Sequence, residues 1–158
     1  MHVKLLYMIR VMITLLLAAE PPTPVITVCE IYANWPSYRD KPVAVVGRHI
    51  RPTSPLVTTE YLVEEHCRFA PTENAGTARI QVQHDGFQPR LNRPAINEDE
   101  LNRKFTQVQK TTPADHYALK HGILLVDKQC SPQTGCRGYA PLLLAAPNQA
   151  LRLLPKQK

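Results

Sequence analysis

Apolar and polar residues alternate most strictly near the middle of the chain. The alternating residues are Ala78, Arg79, Ile80, Gln81, Val82 and Gln83. This two-residue period predicts a half-buried β-strand with its polar residues on the exposed face. Two β-branched segments, 43–50 and 58–65, predict earlier strands, the second with Tyr61 and Val63 on one face and Leu62 on the other. Within the first of these strands, Gly47 predicts a bulge or a sharp bend.

The first segment with a helical period lies just before these strands. Thr27 and Glu30 have the spacing of a capping box, in which each side chain bonds the backbone amide of the other residue. The following apolar residues fall on one helical face: Val28, Ile31, Tyr32 and Trp35. Pro36 is expected to end this helix. Trp35 could serve as a ligand platform, but its place on the apolar stripe favours a core position.

A second helix is predicted from Asn97, a favourable N-cap residue. Its buried face consists of Leu101, Phe105 and Val108. The acidic residues 98–100 resemble a metal or acid–base cluster, but anions are favoured at a helix start, which accounts for all three.

The remaining strands are expected in the C-terminal third. The apolar segment 122–128 predicts the fourth strand, 138–149 is expected to be a connecting loop, and 150–154 predicts the fifth strand with Leu151 and Leu153 pointing inward. The fold class is therefore mainly β with two helices. Five strands with a helix between the third and fourth match the five-stranded Greek-key OB-like barrel, with an added N-terminal helix.

The first 19 residues have the layout of a secretory signal peptide: a basic start, a short apolar run and small residues. The rest, 20–158, forms a single predicted domain. Export would place the mature protein in the periplasm or outside the cell. The alternative is an uncleaved segment, and contact with a membrane is expected only through it. Arg10 leaves the apolar run well below the roughly 20 residues that span a bilayer.

Four cysteines are present: Cys29, Cys67, Cys130 and Cys136. An even count in an exported protein favours disulfides, and four cysteines allow three pairings. The segment between Cys130 and Cys136 contains a proline and a glycine and can turn tightly, which favours Cys130–Cys136 and therefore Cys29–Cys67. Zinc is the competing interpretation, but neither a CxxC motif nor a histidine pair at ligand spacing supports it, so no metal and no cofactor is expected.

Charge gives little indication of a partner. The formal net charge is +6, and removing Lys4 and Arg10 with the signal segment leaves 17 basic and 13 acidic residues, interleaved along the chain. Such a dispersed charge does not favour nucleic acid as the partner. If the barrel binds a ligand as other barrels of this type do, the possible ligand face consists of Arg51, Arg68, Arg79, Gln81 and Gln83. The partner itself, a protein or a small ligand, is not indicated.

The segment 28–51 resembles the opening of small exported bacterial proteins of OB-fold type, most of them uncharacterised. The residues that carry this resemblance are Val28, Cys29, Glu30, Tyr38, Lys41, Val43, Val45, Gly47 and Arg48, and a second cysteine after strand two, Cys67, also fits. Asp40 departs from the pattern, which often has glycine at this turn. The resemblance implies the fold and export, and assigns Cys67 to a disulfide. It implies no catalytic residues.

No nucleophile motif, zinc-protease motif or phosphate-binding loop is present, and no catalytic residue is assigned. The sequence therefore predicts an exported, disulfide-stabilised OB-like binding or interaction module. One alternative is a small hydrolytic or metal-dependent enzyme that uses His66, His84 or the loop after strand four. Another is a weak oligonucleotide or polyanion binder, which would need a continuous basic face.

Overall fold

The computed structural model describes residues 21–51, 60–68, 77–84, 95–131, 135–145 and 152–155, with the backbone alone for residues 84, 126–131 and 135–142. The predicted signal segment lies outside the described residues. None of the helices in the described part is long and apolar enough to cross a membrane.

Seven strands and three helices make up the described chain. The strands are β1 (Val25–Thr27), β2 (Pro42–Ile50), β3 (Glu60–Glu64), β4 (Ala78–His84), β5 (Tyr117–Ser131), β6 (Gly135–Ala145) and β7 (Arg152–Leu154). The helices are α1 (Val28–Ala33), α2 (Trp35–Tyr38) and α3 (Glu98–Thr111).

Five of the strands close into a barrel. Their order is β2–β3–β4–β6–β5, and β5 pairs back onto β2. All neighbours are antiparallel except β4 and β6, which run parallel. With α3 between the third and fourth barrel strands, this is an OB-like barrel, and the predicted fold class is confirmed. Outside the barrel, β1 joins β2 in parallel and β7 joins β5.

The C-terminal third differs from the sequence-based expectation. Residues 138–149 were expected to be a loop, yet β6 extends to Ala145 and is the fifth barrel strand. The expected fifth strand is instead the short β7, in which Leu153 is 60% exposed and Leu154 is buried. Leu151 lies outside the described residues. The inward assignment of Leu153 was wrong because β7 pairs with β5 outside the barrel and presents Leu154 to α3.

The N-terminal helix forms with the predicted cap. Thr27 Oγ1 accepts a hydrogen bond from the Glu30 amide at 3.3 Å, and the Glu30 carboxylate accepts one from the Thr27 amide at 2.9 Å. Pro36 does not simply stop this helix. It lies in the first turn of α2, where its missing amide proton costs no hydrogen bond. The preceding β1 was not predicted from the sequence.

Gly47 is explained by close packing rather than by a bulge. The β2–β5 register runs without a shift from the pair Pro42 and Ile123 to the pair Arg48 and Tyr117. A Cβ atom on Gly47 would lie 3.1 Å from Leu62 Cβ and 3.2 Å from Val28 Cγ2. The glycine therefore lets α1 pack closely against the inside of the barrel wall.

Two hydrophobic cores lie on either side of β2. The barrel interior contains Ile26, Val28, Ile31, Val43, Val45, Leu62, Cys67, Ala78, Ile80, Val82, Ala118, Leu124, Leu143 and Ala145. Tyr32, Trp35 and Tyr38 are partly buried and pack against this interior, so Trp35 contacts the core without being fully buried in it. The second core lies between the barrel wall and the predicted face of α3, and contains Val25, Ala44, Val46, Leu101, Phe105, Val108, Tyr117, Leu119 and Leu154.

Candidate functional site

A disulfide joins the N-terminal helix to the end of β3. The structure bonds Cys29 to Cys67, the pairing expected from the sequence, with the two Cα atoms 5.2 Å apart. Cys29 is in the first turn of α1 and is partly exposed, whereas Cys67 is only 6% exposed. The bond therefore joins a partly exposed cysteine to one that belongs to the barrel core.

A buried carboxyl group lies directly against this disulfide. Glu64 is 1% exposed, and its Oε2 atom accepts a 2.7 Å hydrogen bond from the Cys29 amide. The Thr27 side chain also bonds the Glu64 carboxyl. Burial raises the pKa of Glu64 above its ordinary value of 4.5, and the two hydrogen bonds oppose this shift.

The carboxyl group belongs to a wider polar network, which we call the Glu64 network: Thr27, Cys29, Glu30, Glu64 and Lys104. Lys104 of α3 donates to Glu30 Oε1, and Glu30 Oε2 accepts from the Thr27 amide. The sequence indicates Glu30 as a capping residue, but its periodicity gives no indication of Glu64 or Lys104. A charged residue inside an apolar strand or helix face is a signal that could have drawn attention to both.

The Glu64 network is not a metal site in this structure. The Cys29 and Cys67 sulfurs and a Glu64 oxygen lie within 4.8 Å of one another. Metals bind thiolates, however, and sulfurs bonded to each other in a disulfide are not thiolates.

The second predicted disulfide falls where only the backbone is described. Cys130 of β5 and Cys136 of β6 are directly opposite each other in the antiparallel register. Their side chains lie outside the described residues, so the Cys130–Cys136 bond stays a prediction.

The possible ligand face is on the outer side of β2, β3 and β4. Tyr61 is paired with Gln81, and Val63 with Arg79, so these side chains share one face of the sheet. The Arg79 guanidinium lies over the Tyr61 ring, 5.7 Å from its centroid, which is cation–π distance. We call the surface formed by Tyr61, Arg79, Gln81 and Gln83 the outer face.

The structure does not bring all five predicted face residues together. Arg79 and Gln83 are exposed and Gln81 is half-buried on adjoining positions of β4. Arg51 follows the last residue of β2 and lies near Glu60, which is paired with the inward-facing Val82, so it is not on the outer face. Arg68 is exposed four residues beyond the end of β3, outside the paired strands. Tyr61, which the sequence placed with Val63 on one face of β3, was not recognised as a candidate ligand contact.

Basic residues near the outer face are paired with acids. Arg48 Nη1 lies 2.9 Å from Glu65 Oε1, and Arg51 Nε lies 3.9 Å from Glu60 Oε1. The Arg48–Glu65 pair interrupts the positive charge beside the outer face, whereas the acid of the Arg51 pair, Glu60, lies on the inner side of the barrel wall. The described surface is therefore not the continuous basic strip that a polyanion binder needs.

A second charged group lies on the inner side of the barrel wall. Glu60 Oε2 is 2.8 Å from Lys120 Nζ and 3.4 Å from His49 Nε2. Lys120 is 4% exposed and Glu60 8%. Burial lowers the pKa of His49 below its ordinary 6.5, although the Glu60 carboxylate acts in the opposite direction. The sequence pattern gave no indication that an acid lies beside His49.

The enzyme alternative needs a cleft that gathers two histidines and a carboxylate. Among the side chains that the structure describes, the sole close group of three histidine, cysteine or acidic ligand atoms is that of Cys29, Glu64 and Cys67. His66 is exposed in a left-handed backbone conformation with φ of 60°. The His84 side chain lies outside the described residues. The side chains that the structure describes therefore do not form the cleft of histidines and a carboxylate that the enzyme alternative needs.

Comparison of the chain with protein-family models, with curated proteins and with solved structures gave no match. The resemblance to exported OB-type proteins therefore stays a hypothesis, and the OB-like description of the fold rests on strand order and closure alone.

Proposed function

We propose that this protein is an exported binding or interaction module, stabilised by disulfide bonding, that binds an extended polar ligand on the outer face of β3 and β4. The observation that carries the proposal is the arrangement of Arg79 over Tyr61, with Gln81 directly opposite Tyr61. Five-stranded barrels of this kind use the corresponding strands to bind oligonucleotides and oligosaccharides.

The side chains of the outer face suit a ligand rich in hydroxyl and amide groups. The guanidinium and two carboxamides offer donors and acceptors in a row, at Arg79, Gln81 and Gln83. Tyr61 adds an aromatic ring that a sugar ring or another flat group can stack against.

The charges favour a ligand with little net charge of its own. A polyanion gains affinity mainly from basic side chains that replace its counterions. Here Arg48 and Arg51 are already beside Glu65 and Glu60. We therefore expect binding to single-stranded DNA to be weak, salt-sensitive and indifferent to sequence.

The test is a titration of the folded protein, monitored by amide chemical shifts, with neutral hexasaccharides and with a dodecameric oligothymidylate. We expect a hexasaccharide to shift the amides of β3 and β4, and Arg79→Gln or Gln83→Ala to weaken the binding at least fivefold. Arg103→Gln and Gln107→Ala are the matched controls, because these residues are exposed on α3. Oligothymidylate binding that persists at physiological salt would instead support the nucleic-acid alternative, and sugar-induced shifts confined to other surfaces would contradict the outer face.

Export is the second part of the proposal. The Cys29–Cys67 disulfide is compatible with an oxidising compartment, and the N-terminal sequence has the layout of a signal peptide. N-terminal sequencing of the protein from its host should begin near Glu20. A cytosolic protein that retains Met1 would contradict export.

A further inference from the structure

We propose that the Cys29–Cys67 disulfide is redox-active: it exchanges with external thiols, and the Glu64 carboxyl group supplies and takes back the proton of the Cys67 sulfur. This activity is independent of ligand binding on the outer face.

The difference in burial between the two cysteines gives the exchange a direction. An incoming thiolate must approach along the S–S axis, and of the two cysteine residues only Cys29 is partly exposed, whereas Cys67 is buried. Attack on Cys29 makes Cys67 the leaving group. A thiolate released into an apolar interior is strongly disfavoured unless it is protonated promptly.

Glu64 is placed to provide that proton. A Glu64 oxygen lies within 4.8 Å of both sulfurs, and the 2.7 Å bond from the Cys29 amide fixes its position. Burial raises the pKa of this carboxyl group, which increases its protonated fraction. The ionisable groups facing it are Glu30 on α1, which raises the pKa further, and Lys104 on α3, which lowers it.

The surrounding structure can keep its shape when the bond opens. Val28 and Ile31 hold α1 in the barrel core, and the Thr27–Glu30 capping box and the Lys104 ion pair hold its start. None of these contacts involves a sulfur atom. The reduced protein should therefore keep both cysteines close together and be able to close the bond again.

Every atom of the exchange is accounted for. The thiolate of a low-molecular-weight thiol bonds Cys29, the Cys29–Cys67 bond breaks, and Cys67 takes a proton from Glu64. A second thiolate then attacks the mixed disulfide and releases the oxidised small-molecule disulfide. The departing Cys29 thiolate is protonated by solvent, and Glu64 regains its proton from solvent. The protein gains two electrons, and two thiols lose them.

The test is reduction of the full mature chain by glutathione in native buffer, in a Cys130→Ser/Cys136→Ser background so that a single disulfide is followed. We expect complete, reversible exchange without denaturant. Cys67→Ser protein incubated with oxidised glutathione should form a stable mixed disulfide on Cys29, with release of one reduced glutathione. Glu64→Gln should slow reduction at least tenfold near neutral pH and alter its pH profile. Glu65→Gln is the matched control on the next residue. It should leave the rate of reduction and its pH profile unchanged, because Glu65 faces Arg48 on the outside.

Two results would overturn the proposal. The first is a disulfide in the otherwise wild-type chain that glutathione reduces only when the protein is unfolded, which would mark it as purely structural. The second is a folded Glu64→Gln protein that exchanges at the wild-type rate with the wild-type pH profile. Circular dichroism of each variant establishes that the fold is intact. If the Glu64→Gln protein does not fold, reduction of the folded protein that retains Glu64 still tests the proposal.

Discussion

Lys104 of α3 donates its ammonium proton to the Glu30 carboxylate of α1, 74 residues earlier in the chain. The Lys104 side chain is 9% exposed and that of Glu30 is 29% exposed. One carboxylate thus caps its own helix through Oε2 and binds a second helix through Oε1. This single residue connects the helix that fills the barrel with the helix that covers its outer wall.

Replacing Lys104 with methionine should lower the free energy of unfolding by roughly 1–3 kcal/mol, between the values typical of exposed and of buried ion pairs. The physical cause is the half-buried Glu30 carboxylate, which loses its charge partner. Urea denaturation measures the effect. Lys110→Met, at an exposed position of the same helix, is the control. Making the change in a Glu30→Gln background should reduce the loss, and an undiminished loss there would contradict the pairing.

Removing Cys29 or Cys67 should lower the melting temperature more than removing Cys130 or Cys136. The Cys29–Cys67 bond spans a sequence separation of 38 residues. In the chain-entropy model a loop of this size corresponds to about 3–4 kcal/mol, and a loop as short as Cys130–Cys136 to less. Thermal unfolding of the four single Cys→Ser variants decides the ranking. Equal losses in all four would show that loop entropy is not the main contribution.

The sequence revealed the parts of the Glu64 network that depend on local spacing. The capping box between Thr27 and Glu30 is a four-residue pattern, and it formed as predicted. Lys104 and Glu64 are brought to it by tertiary packing, 74 residues from Glu30 and 35 residues from Cys29. No periodicity along one segment encodes contacts between two distant ones, so these partners appear only once the barrel is closed.

Glu64→Gln should flatten the pH dependence of stability above pH 4.5. Because burial raises the folded-state pKa of Glu64, the folded protein binds a proton that the unfolded chain releases first. The wild-type protein therefore loses stability as pH rises from about 4.5 through the folded-state pKa. Melting temperatures measured between pH 4 and 8 test this. Glu65→Gln should keep the wild-type dependence of melting temperature on pH. The same dependence in Glu64→Gln would contradict a raised pKa of Glu64 as its cause.

His49 should make the folding stability depend on pH in the opposite direction. Burial lowers its folded-state pKa below 6.5, so the unfolded chain takes up a proton before the folded protein does. The contribution of neutral His49 to folding stability is fully present above pH 6.5, and it is lost as the pH falls through the folded-state pKa of His49. His49→Gln should make the protein less sensitive to acid, while the same change at the exposed His66 should not. If the stability of the His49→Gln and His66→Gln proteins depended on pH in the same way, a group other than His49 would dominate the acid sensitivity.

The barrel strands were predicted unevenly, for identifiable reasons. The clean alternation of β4 predicted all of the strand except its last residue, His84, because one of its faces is buried and the other is not. In β6, Leu142–Leu144 form an unbroken apolar run beside Pro141, and such a run carries no period that separates strand from loop. Pairing with β4 on one side and β5 on the other determines that it is a strand.

Alanine at Gly122 should be more destabilising than alanine at Gly47. A Cβ atom on Gly122 would lie 2.5 Å from the Leu144 carbonyl oxygen, a backbone atom that the β5–β6 pairing holds in place. At Gly47 the nearest neighbour would be Leu62 Cβ at 3.1 Å, which small shifts can relieve. Overpacking a core typically costs about 1–3 kcal/mol, and we expect Gly47→Ala near the lower end and Gly122→Ala at or beyond the upper end. Urea denaturation of both variants gives the comparison, and a Gly122→Ala protein as stable as the wild type would show that β5 and β6 do not approach so closely there.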